Sequence, residues 1–239
     1  MMAHSSLLSN IDATQAQQTE QARFNMVEGQ LRPNRVISEE LLQIMGNLKR
    51  ECFAAKGKEH LAYADTALPL GNDRFLLSPL QLGRLLQEVA ADNLLQDKEN
   101  RTALEIGAGS AYGAAVLSGL GFAVDAVEED GILVTLAQQA LAANGVQGVN
   151  ISRASLQQPL SGNRLYDVIL VAGAVANVPE QWLEKLAENG RLLVIKRDND
   201  YTGHALSYRK FNGFTSASIL FDAVAPWLPS FTPQSGFTL

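Results

Sequence analysis

Apolar positions near the start of the chain recur at helical spacing. Phe24, Val27 and Leu31 fall three and four apart, one face of a helix that Pro33 ends. A second helix is expected after Ser38, an N-cap type followed by Glu39 and Glu40, with Leu41, Leu42, Ile44, Met45 and Leu48 as its apolar set. Tyr63 to Pro79 holds two prolines and one glycine and keeps no period, so it reads as a loop with at most a short strand at Arg74 to Leu77. Ser78 and Pro79 suit the start of a third helix, Leu80 to Asn93, with Leu82, Leu85, Leu86 and Val89 on one face. Beyond residue 100 the pattern changes to strands alternating with helices. Strands are expected at Thr102–Ile106, Phe122–Val127, Val149–Arg153, Asp167–Val171 and Arg191–Lys196. Helices are expected at Tyr112–Ser118, Ile132–Ala143 and Pro179–Ala187, the last two stopped by Asn144-Gly145 and Asn189-Gly190. Asp167–Val171 is continuously apolar, as in a sheet covered on both faces. Ala205–Phe211 and Thr215–Phe221 flank Asn212-Gly213 and read as a closing hairpin. The tail from Ala225 to Leu239, with three prolines, is expected to lie along the surface.

Composition adds limits. Of 239 residues 46% are hydrophobic and 18% charged, which suits a soluble globule with a real core. The net charge of −6 offers no broad positive field, so nucleic acid and anionic membrane are not expected partners. Residues 1–21 are rich in Ser, Gln, Thr and Asn, lack the charge and apolar run of a secretory signal, and read as a flexible tail. Val168–Val178 is too short to span a bilayer. The single cysteine, Cys52, cannot form an internal disulfide, which fits a reducing cytoplasm, and no activating motif surrounds it. His4, His60 and His204 have no metal-ligand spacing.

The densest chemistry lies in Ala103-Leu-Glu-Ile-Gly-Ala-Gly-Ser-Ala-Tyr112, followed by Glu128-Glu129 at the end of the next strand. Small residues at a strand-to-helix turn let backbone approach a ligand, and an acid at the end of the following strand suits ribose hydroxyls. Tyr112 stands where a dinucleotide fingerprint would place its third glycine, so the turn suits a ligand without phosphate.

Glu105-Ile-Gly-Ala-Gly-Ser-Ala-Tyr-Gly-Ala-Ala-Val-Leu117 resembles the first motif of class I S-adenosylmethionine-dependent methyltransferases, and of the protein-L-isoaspartate O-methyltransferase family in particular. The resemblance runs from about residue 22 to 222. It includes Met26-Val-Glu-Gly-Gln-Leu31, Ala62-Tyr-Ala-Asp65, Leu68-Pro-Leu-Gly71, Tyr166-Asp-Val-Ile-Leu-Val-Ala-Gly-Ala174 and Asn189-Gly-Arg-Leu-Leu-Val194. It implies an α/β, Rossmann-like fold: a seven-stranded mixed sheet with helices on both faces and an N-terminal helical cap. The implied divisions are a tail (1–21), a cap with substrate loop (22–80), an S-adenosylmethionine-binding domain (81–222) and a C-terminal extension (223–239). By the resemblance, Gly107, Ala108 and Gly109 would meet the donor's methionine part and Glu105 would fix the loop or the amino group. Glu128 would hold the ribose, with Glu129 facing solvent, and Ala172 and Gly173 would face the methyl group. The acceptor would lie at Asp65, Leu77 and Ser78, in a cleft built from residues 60–80 and the loop after Ala174.

Two departures from the family pattern stand out. Aligned on Gly71 and Pro79, its Gly-Gln-Thr-Ile-Ser-x-Pro loop corresponds to Gly71-Asn-Asp-Arg-Phe-Leu-Leu-Ser-Pro79, with Leu77 at the reactive serine and Ser78 one residue later, on the opposite face of an extended loop. Its Gly-Asp-Gly after the third strand corresponds to Ala154-Ser155-Leu156, which leaves Ser155 to meet the adenine without charge. Methyl transfer to a carboxylate needs no general base, because the nucleophile is already ionised at pH 7. Alignment supplies most of the catalysis, roughly 7–11 kcal/mol. A missing orienting hydroxyl costs on the order of 1–3 kcal/mol, about ten- to hundredfold in rate. The expected activity is therefore S-adenosylmethionine-dependent O-methylation of a carboxylate, foremost that of L-isoaspartyl residues in damaged proteins, by a cytoplasmic monomer or weak homodimer. A different acceptor, and a binding scaffold that has lost catalysis, stay open as alternatives.

Overall fold

The computed structural model describes residues 16–92, 100–157 and 163–233. The expected flexible tail lies outside these residues up to position 15, but residues 16–26 form helix α1, so its last part is helical. The helix continues through a wide turn, Val27–Leu31, and a tight one, Arg32–Asn34, that contains Pro33; Arg35, at φ +70°, ends it. Helix α2 (Glu39–Asn47) starts at Ser38, whose hydroxyl accepts from Leu41 N at 3.3 Å. Helix α3 (Pro79–Ala90) turns Leu82, Leu85, Leu86 and Val89 inward, as the spacing predicts.

The loop before α3 contains more order than its composition suggests. Leu68–Gly71 (β1) and Arg74–Leu76 (β2) pair as an antiparallel hairpin, separate from the main sheet. Asn72 and Asp73 both have positive φ, the two-residue turn whose twist suits a hairpin.

The main sheet consists of β3 (Thr102–Ile106), β4 (Ala123–Glu128), β5 (Val149–Arg153), β6 (Tyr166–Val175), β7 (Leu186–Arg197), β8 (Gly203–Phe211) and β9 (Phe214–Asp222). Its order is β5-β4-β3-β6-β7-β8-β9, parallel up to β7 and antiparallel beyond. Helices α4 (Tyr112–Gly119), α5 (Gly131–Ala143) and the short α6 (Glu180–Glu184) connect the parallel strands. Val168–Val171 are fully buried, because β6 lies mid-sheet. Asn189-Gly190 does not stop a helix: it forms a bulge inside β7, with Asn189 at φ +64°, because β7 already begins at Leu186. Asn212-Gly213, both at positive φ, close the expected β8–β9 hairpin.

From β3 the chain builds outward through β4 to β5, then returns to β6 on the other side of β3. A crevice therefore opens at the carboxyl end of β3, between β4 and β6, the usual ligand position in such sheets. Most described residues of the tail are exposed or half-buried, as expected of a segment along the surface; beyond that expectation, residues 223–231 form a strap paired onto the end of β6. Ala174 N donates to Pro226 O and Leu228 N to Ala174 O, each at 2.8 Å, while Ala176 N donates to Phe231 O at 3.0 Å. Ala225 and Leu228 are buried by this pairing.

Candidate functional site

The turn after β3 takes its shape from three residues of positive φ: Gly107 at +71°, Gly109 at +55° and Ala111 at +64°. The Gly107 and Ala108 amides both donate to Val127 O at 3.0 Å, which fastens the turn to β4. Glu105 is buried below it and accepts from Ala114 N at 2.8 Å. Burial pushes its carboxyl up to about 8, and the Ala114 amide pulls in the opposite direction. No side chain fits at Gly113, where a Cβ would sit 2.1 Å from Glu105 Oε1.

Glu128, at the end of β4, is buried and fully engaged. Its Oε2 accepts from Gly109 N and Arg74 Nη2, both at 2.7 Å. Its Oε1 accepts from Glu129 N at 2.9 Å and Asp130 N at 3.2 Å. Arg74 also donates to Gly107 O at 2.5 Å. Glu129 does not face solvent freely: it accepts from Leu156 N and from the strap's Ser230 hydroxyl, each at 3.0 Å.

The glycines are covered by the chain's own side chains. A Cβ on Gly107 would meet Leu228 Cδ2 at 2.9 Å and Arg74 Nη2 at 3.0 Å. One on Gly109 would meet Leu70 Cδ1 at 2.8 Å, and one on Gly173 would meet Leu228 Cδ2 at 2.7 Å. The space left among Arg74, Phe75, Leu77, Ala172, Gly173 and Leu228 admits no water-sized sphere. A cavity of about 710 Å³ lies instead beside Gln157, Ala176–Pro179 and Ser230–Pro233. Glu128, the glycine turn and the Gly109 amide therefore have the chemistry to hold an adenosyl ligand, while Arg74, Leu70 and Leu228 occupy the room it would need.

The expected acceptor residues gather at the start of α3. Leu77 is buried facing Ala172 and Gly173, and its carbonyl accepts from the buried Arg50 at 2.6 Å. Ser78 points into the helix, its hydroxyl accepting from Gln81 N at 3.3 Å. Asp65 accepts from Leu80 N at 3.3 Å, in the same first turn. Tyr112 packs away from the crevice, under the Arg50 guanidinium at 4.5 Å and against Phe53. Ala172 and Gly173 lie where the β6–β7 register shifts, between Leu170 and Ala174. Ser155 is exposed, and its hydroxyl accepts from Gln157 N. Among the described residues no cluster of three or more His, Cys, Asp or Glu could hold a metal, and no helix is long and apolar enough to cross a membrane.

Arg74 and Leu228 were not recognisable as site residues from local pattern. The one available signal was Arg74 itself, a cation directly before the apolar run Phe75-Leu-Leu77.

The sequence profile of the family described as protein-L-isoaspartate(D-aspartate) O-methyltransferase matches residues 22–219. A protein-L-isoaspartate O-methyltransferase of Aromatoleum aromaticum is 35% identical over 178 residues, 74% of this chain and 79% of that protein. One from Methanoregula boonei is 34% identical over 174 residues, 72% of this chain and 76% of that protein. In fold, the chain is similar to a crystal structure from Plasmodium falciparum described as a protein-L-isoaspartate O-methyltransferase in complex with S-adenosyl-L-homocysteine. The TM-score is 0.70 at 20% identity, covering 88% of this chain and 97% of that one.

Proposed function

Since this chain belongs to the protein-L-isoaspartate(D-aspartate) O-methyltransferase family, we propose that it methylates the carboxylate of L-isoaspartyl residues in damaged proteins, with S-adenosylmethionine as donor. The observation that carries this reading is the alignment of Glu105, the Gly107–Gly109 turn and Glu128 at one carboxyl-end crevice of the sheet. When bound, the donor supplies a methyl group on a sulfonium that is already a good leaving group. The chain's own contribution is alignment and exclusion of water. Glu128 would hold the ribose and the Gly107–Gly109 turn the methionine part, and the acceptor carboxylate arrives ionised, so neither Asp65 nor Ser78 is needed as a base. Leu77, Ala172 and Gly173 would line the transfer path with apolar surface, and residues 60–80 with the loop after Ala174 would frame the acceptor.

A cytoplasmic setting belongs to the same proposal, supported by the lone Cys52, as does a monomer or weak homodimer. Leu77 and the capping role of Ser78 favour a second reading, the same reaction on another carboxylate acceptor. Incubation with labelled donor and an isoaspartyl peptide tests the first: base-labile methyl ester above the level seen with the matching aspartyl peptide supports it. Ester formed only on other carboxylates supports the second and rejects the first.

A further inference from the structure

A carboxylate offers about four lone-pair sites, and all four on Glu128 are taken by three backbone amides and Arg74. Of these partners only the guanidinium stands on a separate element that can leave without unravelling the turn itself. Arg74 belongs to the β1–β2 hairpin, which forms its own two-stranded sheet; such a pair is marginal alone. Its Nε is buried without a partner, so the side chain is held at one end only. Leu228, carried by the strap, rests on Gly107 and Gly173, beside the Arg74 guanidinium at Gly107. The strap reaches from the end of β6, through the Ala174 bonds, to Glu129 through Ser230, and so crosses the crevice. The missing side chains at Gly107 and Gly173, which would let a ligand approach, here seat Leu228.

We infer that Arg74 and Leu228 form a latch over the cradle, and that an adenosyl ligand binds only after hairpin and strap have swung away. This deepens the donor-site reading above and rests on it. In the latched state Arg74 takes the place of the ribose hydroxyls on Glu128, and Leu228 fills the space over the glycines. Opening leaves the seven-stranded sheet intact, because neither carrier is one of its strands. Apparent affinity is then the intrinsic affinity reduced by the open fraction. A latch closed nine-tenths of the time or more weakens binding by at least about tenfold.

The test uses S-adenosylhomocysteine as probe. Calorimetry on the full chain and on the Arg74→Gln and Leu228→Ala variants, each checked for cooperative thermal unfolding, is expected to show at least tenfold tighter binding in each variant, and tighter still in the double variant. Equal affinity in all four proteins would overturn the latch and leave the donor site standing. No binding by any folded protein at millimolar probe would overturn the donor-site reading, and the latch with it. The unaltered chain gives an independent readout should a variant fail to fold. Its two tryptophans both touch the strap: Trp227 lies within it, and Trp182 packs against Phe231 at 4.9 Å. On rapid mixing, a latch predicts a fluorescence change whose rate levels off as probe increases. A rate rising linearly into the millimolar range rejects it.

Discussion

Burial of Glu105 is expected to make stability fall as pH rises through neutrality. The unfolded chain ionises a glutamate near its ordinary value of 4.5, whereas burial under the glycine turn holds the folded carboxyl up to about 8. The negative Glu128 pushes in the same direction as burial; Arg74 and the amides of Ala114 and Gly113 push against it. Between those two pH values the folded state keeps a proton that the unfolded state has lost, so stability falls as pH rises. The contribution is whole below about 4.5 and gone above about 8. Each unit crossed is worth about 1.4 kcal/mol, so the window of about 3.5 units gives on the order of 5 kcal/mol. Glu105→Gln keeps an oxygen for the Ala114 amide and removes the titration. Urea unfolding at pH 5.5, 7 and 8.5 is expected to show the unaltered protein losing stability relative to the variant at each step. Parallel pH profiles for the two proteins would refute the reasoning, because a carboxyl that titrates alike in both states adds no such slope.

Leu77→Ser restores a hydroxyl beside Ala172 and Gly173 and is expected to raise kcat/KM on an isoaspartyl peptide about ten- to hundredfold; an unchanged rate in the labelled-donor assay would show that position 77 does not orient the acceptor. Gly113→Ala places a methyl 2.1 Å from Glu105 Oε1 and 2.7 Å from Leu170 Cδ2, both buried. It is expected to destabilise by about 1–3 kcal/mol or more, lowering Tm by several degrees. A melting curve matching the unaltered protein's would contradict the packing described.

What the sequence revealed follows from how local each cause is. The Val168–Val171 run announces a strand covered on both faces, because no alternation is needed there, and Asn212-Gly213 announces its hairpin through the positive φ both residues adopt. The order of Glu105, the glycines and Glu128 was equally visible, since a strand-turn-helix-strand unit fixes it. Strand β1 was hidden by Pro69 and Gly71, residues that weaken a strand signal yet are tolerated in a short hairpin outside the main sheet. The strap was hidden by its prolines. Its role depends on a bridge between Ala174 and Trp227 that no local pattern encodes. Arg74 and Glu128 lie 54 residues apart, and only the folded chain brings the cation to the acid. Composition could say that a buried carboxylate needs partners, but not that the protein supplies a cation of its own.

That last point makes Glu128 the sharpest probe of the site. If it served only a ligand, replacing it in ligand-free protein would be neutral or stabilising, since a functional acid held ready is a strained one. The geometry says otherwise. Glu128→Gln leaves the Arg74 guanidinium buried without its anion. It also turns an amide NH₂ toward backbone N–H groups of Gly109 or of Glu129 and Asp130, a donor facing donors. Breaking one side of a buried pair costs on the order of 3–5 kcal/mol, because the remaining charge is stranded. Urea unfolding without any adenosyl compound should register that loss. The double variant with Arg74→Gln should lose less than the two singles summed, since each single already breaks the shared contact. Strict additivity, or an unchanged midpoint for Glu128→Gln alone, would mean that the guanidinium is not what this carboxylate holds when no ligand is bound.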